Sequence, residues 1–249
     1  MKLARLVGLC LVAAFMFSAV AVASASAKEV LYELSTGTFP ATFTSTGGAS
    51  TLETVGKEKI SCTAVKNKGT IGSATEGSGK TAHLGLVGIT FTGCSAVGGL
   101  AKCQNVSTKG TIELASVEFH LGLADPGNLP AQLLLVSVTF TCEALGISKE
   151  IKVKGSIIGI IKKSNGEPPV IGEEVEKAEL VFEQTGGKQK FTEFLLSLTK
   201  PENELMTGQH LTTTIEGKSE ESGQSTPSDV LEGFKNSAGA ATKIKLVEG

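Results

Sequence analysis

The chain has 249 residues and a formal net charge of -2, with 30 glycines, 11 phenylalanines, one tyrosine and no tryptophan. A near-neutral balance without a dense Lys/Arg patch among aromatics argues against a nucleic-acid partner. With Tyr32 and the phenylalanines as its only aromatic faces, the chain is poorly equipped to grip sugars.

The N-terminus reads as a secretory signal peptide. Lys2 and Arg5 form the positive start, Leu6 to Val22 the apolar run, and Ala25-Ser26-Ala27 the small-x-small cleavage site before Lys28. Cys10 follows Leu9, where a lipobox needs a small residue, so lipidation is not expected. No other segment is long and apolar enough to cross a bilayer, so no stable membrane span is expected after cleavage. The expected organisation is a signal peptide at 1–27 and a single all-β extracellular domain at 28–249.

From there β patterning dominates. Gly88-Ile89-Thr90-Phe91-Thr92, Val136 to Thr141 and Glu150 to Lys154 alternate apolar and polar residues with period two. Ile112 to Leu121 also alternates, but its phase slips between Leu114 and Val117, which predicts a bulge. Ser156 to Lys162 is apolar on both phases and reads as a buried strand. Leu180 to Phe182 and Leu211 to Ile215 continue the pattern, and Thr242 to Val247, with its lysines, reads as an edge strand. Asp125 to Pro130 and Asn165 to Pro169 are turns, and the polar stretch Ser219 to Ser228 reads as a flexible loop. Phe191 to Leu198 and Asp229 to Lys235 are the best short helices, the second capped by Ser228 or Asp229. The fold class predicted is an all-β, antiparallel sandwich or barrel-like domain stapled by two disulfides.

The mature chain holds four cysteines, Cys62, Cys94, Cys103 and Cys142, an even number that implies disulfides in an exported protein. Cys94 and Cys103 flank a Gly-rich connection, so a bridge there would close a hairpin; elimination then pairs Cys62 with Cys142. A metal site is disfavoured, because C-x-x-C pairs and histidines at ligand spacing are missing. Lys-Gly-(Thr/Ser)-Ile recurs at Lys68, Lys109 and Lys154, the first two copies opened by Cys62 and Cys103, and reads as a recurrent strand start.

The chemical motifs are weak. Ala74 to Thr81 loosely fits a phosphate loop but lacks the following helix. His83, His120 and His210 share no ligand or triad spacing, and the only aspartates are Asp125 and Asp229. Glu173, Glu174, Glu176 and Glu179 read as a solvated charged face. Asn105-Val106-Ser107 fits a glycosylation sequon. No catalytic, cofactor-binding or metal-ligating residue is assigned.

The phrases F-T-G-C at 91–94, C-Q-N-V-S-T-K-G-T-I-E-L from Cys103, F-T-C at 140–142, K-V-K-G-S-I-I-G from Lys152 and F-E-Q-T-G-G-K-Q from Phe182 together resemble a group of uncharacterised exported proteins of actinobacteria. The resemblance implies a β-rich, cysteine-stapled, exported bacterial protein and carries no activity to any residue. The expected function is a non-enzymatic binding or structural domain, secreted or in the cell envelope, with an extracellular or envelope partner and no cofactor. The alternatives are a barrel carrying a small apolar ligand among its phenylalanines, or a hydrolase assembled from distant Glu and His residues.

Overall fold

The structure is a computed structural model that describes residues 30–72, 79–196 and 205–248. The expected signal peptide lies outside these residues, as does most of the phosphate-loop-like segment. In chain order the strands are β1 (Val30–Leu34), β2 (Ala41–Gly47), β3 (Ser50–Thr54), β4 (Lys59–Cys62), β5 (Ala64–Ile71), β6 (Thr81–Ala82) and β7 (Leu84–Thr92). There follow β8 (Ser95–Ala96), β9 (Ala101–Gln104), β10 (Ile112–Asp125), β11 (Leu129–Ala144), β12 (Ile147–Lys163), β13 (Glu174–Val175) and β14 (Ala178–Phe182). The last are β15 (Gln184–Thr185), β16 (Lys188–Gln189), β17 (Glu193–Leu196), β18 (Leu205–Met206), β19 (Leu211–Ile215), β20 (Lys218–Lys235) and β21 (Ile244–Glu248). All strand pairings described are antiparallel.

Following the hydrogen-bonded neighbours of the main sheet returns to the starting strand. β14 pairs with β12, β12 with β11, β11 with β10, β10 with β7, β7 with β5, β5 with β2, β2 with β20, and β20 with β14 again. The sheet is therefore a closed barrel, which leaves no free edge along this ring. The long strands extend beyond it. The first part of β12 pairs with β19 and β19 with the first part of β20, while β3, β4, β8 and β9 bridge from β20 across to the far end of β11. The four-stranded sheet β13-β21-β1-β6 packs its apolar face onto the same core through Val30, Tyr32, Leu34, Ile244 and Leu246.

Period-two patterning decides what lies inside. In β2, Ala41, Phe43 and Ser45 are buried and the intervening threonines are exposed; in β12, Ile151 and Val153 are buried between outward lysines. The bulge expected in β10 is present, as a register shift between Leu114 and Val117 against β7. The two-phase apolar run in β12 also has its explanation. Ile157 and Ile161 join the barrel core, whereas Ile158 and Ile160 face outward into a second cluster with Leu133, Phe191 and Phe194. The chain around β17 covers that outer face.

Local expectations are corrected on four points. Phe191 to Leu198 is not helical where described: Glu193–Leu196 is β17, paired with β10, and residues 197–198 lie outside the described range. Ser219 to Ser228 is not a loop and Asp229 to Lys235 is not a helix; both belong to β20. The polar half is held by strand pairing on two sides and by hydroxyl ladders, Thr213 Oγ1 donating to Ser222 Oγ at 2.8 Å and Thr214 meeting Ser219 at 2.7 Å. The second half looked helical because Leu231 and Phe234 are three apart. Gly233, at φ 68°, sits where the register against β2 shifts, so an extra residue carries both side chains to the same face. Third, β21 is not an edge: it lies between β1 and β13.

The fourth concerns the Lys-Gly-(Thr/Ser)-Ile phrase. Only the Lys109 copy precedes a strand; the Lys68 copy ends β5 and the Lys154 copy lies inside β12. There Gly155, at φ 122°, marks the last residue paired with β19 before β12 runs on to β14, and a Cβ on it would collide with the His210 carbonyl oxygen. The phrase recurs for different local reasons, so it is not one repeated unit.

Candidate functional site: the barrel interior

The cysteines set one end of the barrel. Cys62 is bonded to Cys94 and Cys103 to Cys142, which corrects the expected pairing of Cys94 with Cys103 and Cys62 with Cys142. The expected hairpin does form, as β8 and β9, and the Cys103 N–H donates to the Cys94 carbonyl at 3.1 Å. However, β4 pairs with β8 and β9 with β11, so the four cysteines lie in one row across adjacent strands, in the order Cys62, Cys94, Cys103, Cys142. Bridging the middle two would strand the outer two three strand spacings apart, about 14 Å. A disulfide needs Cα atoms within about 7 Å. Pairing outer with inner is the arrangement that uses all four.

Inside the barrel, with Cys62 in its wall, lies a cavity of about 100 Å³. Its walls are mostly aliphatic, with Phe43, Phe91, Phe119, Phe140 and Phe182 among them. Phe43 and Phe119 meet edge to face, ring centroids 6.1 Å apart. For scale, an apolar cavity of ~150 Å³ in an engineered protein interior takes up benzene or xenon. Tyr32 does not offer a stacking face: it is buried, its hydroxyl hydrogen-bonds to Gln132 on the cavity wall, and burial holds it well above the ordinary phenol range.

One stretch of wall is polar. Ser45 on β2, Asn67 on β5 and Asp229 on β20 converge there. The Asn67 amide nitrogen donates to Ser45 Oγ at 2.6 Å and to Asp229 Oδ2 at 2.5 Å. Asp229 is 5% exposed, and burial pushes its carboxyl up to about 6 against the downward pull of Ser45 and Asn67. Asp229 Oδ1 and Asn67 Oδ1 are buried and have no hydrogen-bond partner among the described residues. A methyl on Gly47, opposite Asp229 in the ladder, would come 3.3 Å from Asp229 Oδ1, so the missing side chain leaves room for the carboxyl. Composition hid these groups, but strand phase reveals them. Ser45 shares the inward phase of Ala41 and Phe43, Asn67 that of Val65 and Ile71, and Asp229 that of Leu231.

The other chemical candidates lie elsewhere. His120 is on the face of β10 opposite buried Phe119 and Leu121, with Nε2 2.7 Å from Glu118 Oε1. His210 is exposed, its ring held by the Gly208 carbonyl. The acidic cluster is dispersed: Glu173 pairs with Lys163 and Glu176 with Lys243, each at 3.2 Å. Among the described residues no group of three or more His, Cys, Asp or Glu is placed to hold a metal ion.

Asn105 clamps the start of β10, its amide nitrogen donating to the Glu113 carbonyl and its oxygen accepting from the Glu113 N–H, both at 2.7 Å. The nitrogen that would carry a glycan is thus engaged. Asn105→Ala should cost about 1–2 kcal/mol, seen as a lower denaturant midpoint at unchanged slope.

Two disulfides indicate an oxidising, extracytoplasmic environment. No helix of the described residues is long and apolar enough to cross a membrane. No family model, no curated protein and no solved structure matches the chain.

Proposed function

We propose that this is an exported, non-enzymatic β-barrel of the extracytoplasmic space that binds a small apolar molecule inside the barrel, as a carrier or a sensor of it. The observation that supports this reading is the cavity inside the barrel, walled mainly by aliphatic side chains together with Phe43, Phe91, Phe119, Phe140 and Phe182. The non-enzymatic part rests on separation. Asp229 points inward, while His120 and the paired glutamates face outward, so among the described residues no nucleophile, base and orienting group meet in one place.

Toluene tests the reading. Ligand that binds only the folded state raises its stability by about 2.7 kcal/mol at a concentration 100 times its Kd. Millimolar toluene should therefore raise the Tm of the oxidised protein, and Val138→Phe, which puts a ring into the cavity, should abolish the rise. An unchanged Tm for the parent protein, with methyl resonances of the wall unmoved, would overturn the proposal.

A further inference from the structure

We infer that the barrel selects ligands with an apolar body and a hydrogen-bond-donating head, an ammonium above all and a hydroxyl next, which docks on Asp229 and Asn67. This rests on the cavity being a ligand site, and adds to it the chemistry of the head group.

Three observations converge. Asp229 and Asn67 both line the cavity, and each keeps one buried oxygen without a partner, Asp229 Oδ1 and Asn67 Oδ1. Buried polar atoms in native proteins nearly always find a partner, and leaving one unpaired is costly. Both orphans are acceptors, so the complement they require is a donor, and the donor end of Asn67 is already committed to Ser45 and Asp229 Oδ2. Finally, among the described residues that line the cavity, no Lys, Arg or His faces Asp229, so the wall carries a single, negative ionisable group. A carboxylate ligand would meet like charge and two acceptors, whereas an ammonium meets opposite charge and has three N–H groups to share. The raised carboxyl of Asp229 supports the same conclusion, because a cation docked beside it would favour its charged form.

The test uses four molecules that share one ring: benzylamine, benzyl alcohol, toluene and benzoate, titrated into the oxidised full-length mature chain by calorimetry and NMR. Benzylamine should bind at least tenfold tighter than toluene, with benzyl alcohol between them and benzoate weakest. In Asp229→Asn, shown to be folded by a cooperative unfolding transition, the preference for benzylamine over toluene should fall at least tenfold. Benzylamine and toluene binding equally, or a preference that survives in Asp229→Asn, would overturn the head-group inference while leaving the apolar cavity reading intact. Binding by none of the four would overturn both. The ranking in the parent protein decides the inference even if Asp229→Asn does not fold.

Discussion

Replacing Cys62 and Cys94 together by serine should lower the stability of the oxidised protein by about 4 kcal/mol, and the double replacement of Cys103 and Cys142 by about the same. The bridges close loops of 32 and 39 residues, and in the chain-entropy model each removes about 12–13 cal/mol/K from the unfolded ensemble. For a chain of this size that is a fall in Tm on the order of 10 °C per bridge. The row geometry adds a sharper consequence for single substitutions. In Cys62→Ser the freed Cys94 thiolate lies beside Cys103 and can attack its sulfur, forming Cys94–Cys103 and releasing Cys142 as a thiolate. Non-reducing peptide mapping of Cys62→Ser should therefore find the Cys94–Cys103 peptide. Cys103–Cys142 alone, after prolonged incubation at mildly alkaline pH, would speak against the row.

Asp229→Asn should stabilise the protein near neutral pH, by up to roughly 3 kcal/mol. The carboxyl ionises near 3.8 when unfolded and at about 6 when folded. Below 3.8 both states hold the proton and the group contributes no penalty. Between 3.8 and about 6 the folded state binds more protons, so stability falls as pH rises, and above about 6 the full penalty persists. Denaturant unfolding at pH 4 and pH 7 checks this: the variant and the parent protein should be similar at pH 4 and separate at pH 7. A variant less stable at pH 7, or a difference that does not change with pH, would contradict the burial of an ionised Asp229. The penalty also fits a functional role, since a group that weakens the fold is retained where its chemistry is used.

Much of the architecture was legible in residue patterning. Ile112 to Leu121 showed both its strand and its bulge, and Ser156 to Lys162 showed burial on two faces. Patterning failed where a strand's partners carry the order. Ser219 to Ser228 has almost no apolar residues, and it is a strand because β19 and β3 present matching backbone and hydroxyls. Gly233 disguised the phase of Leu231 and Phe234, which turned the end of the same strand into an apparent helix and hid Asp229 as a cap. The disulfide pairing was beyond a local argument for a related reason. The β8–β9 hairpin was legible from its glycines, but the cysteines of the flanking neighbours β4 and β11 come from 32 and 39 residues away, and they decide which thiols meet. Closure of the barrel likewise depends on β20 returning to β14, a contact between distant parts of the chain.

Xenon reports most directly on an accommodating, apolar barrel interior, because it enters dry cavities without any head-group chemistry. A crystal of the oxidised protein under xenon pressure should show a xenon atom inside the barrel, in contact with wall residues such as Phe43, Phe119 and Leu134. Xenon bound only at the surface, with those side chains packed against one another, would contradict it.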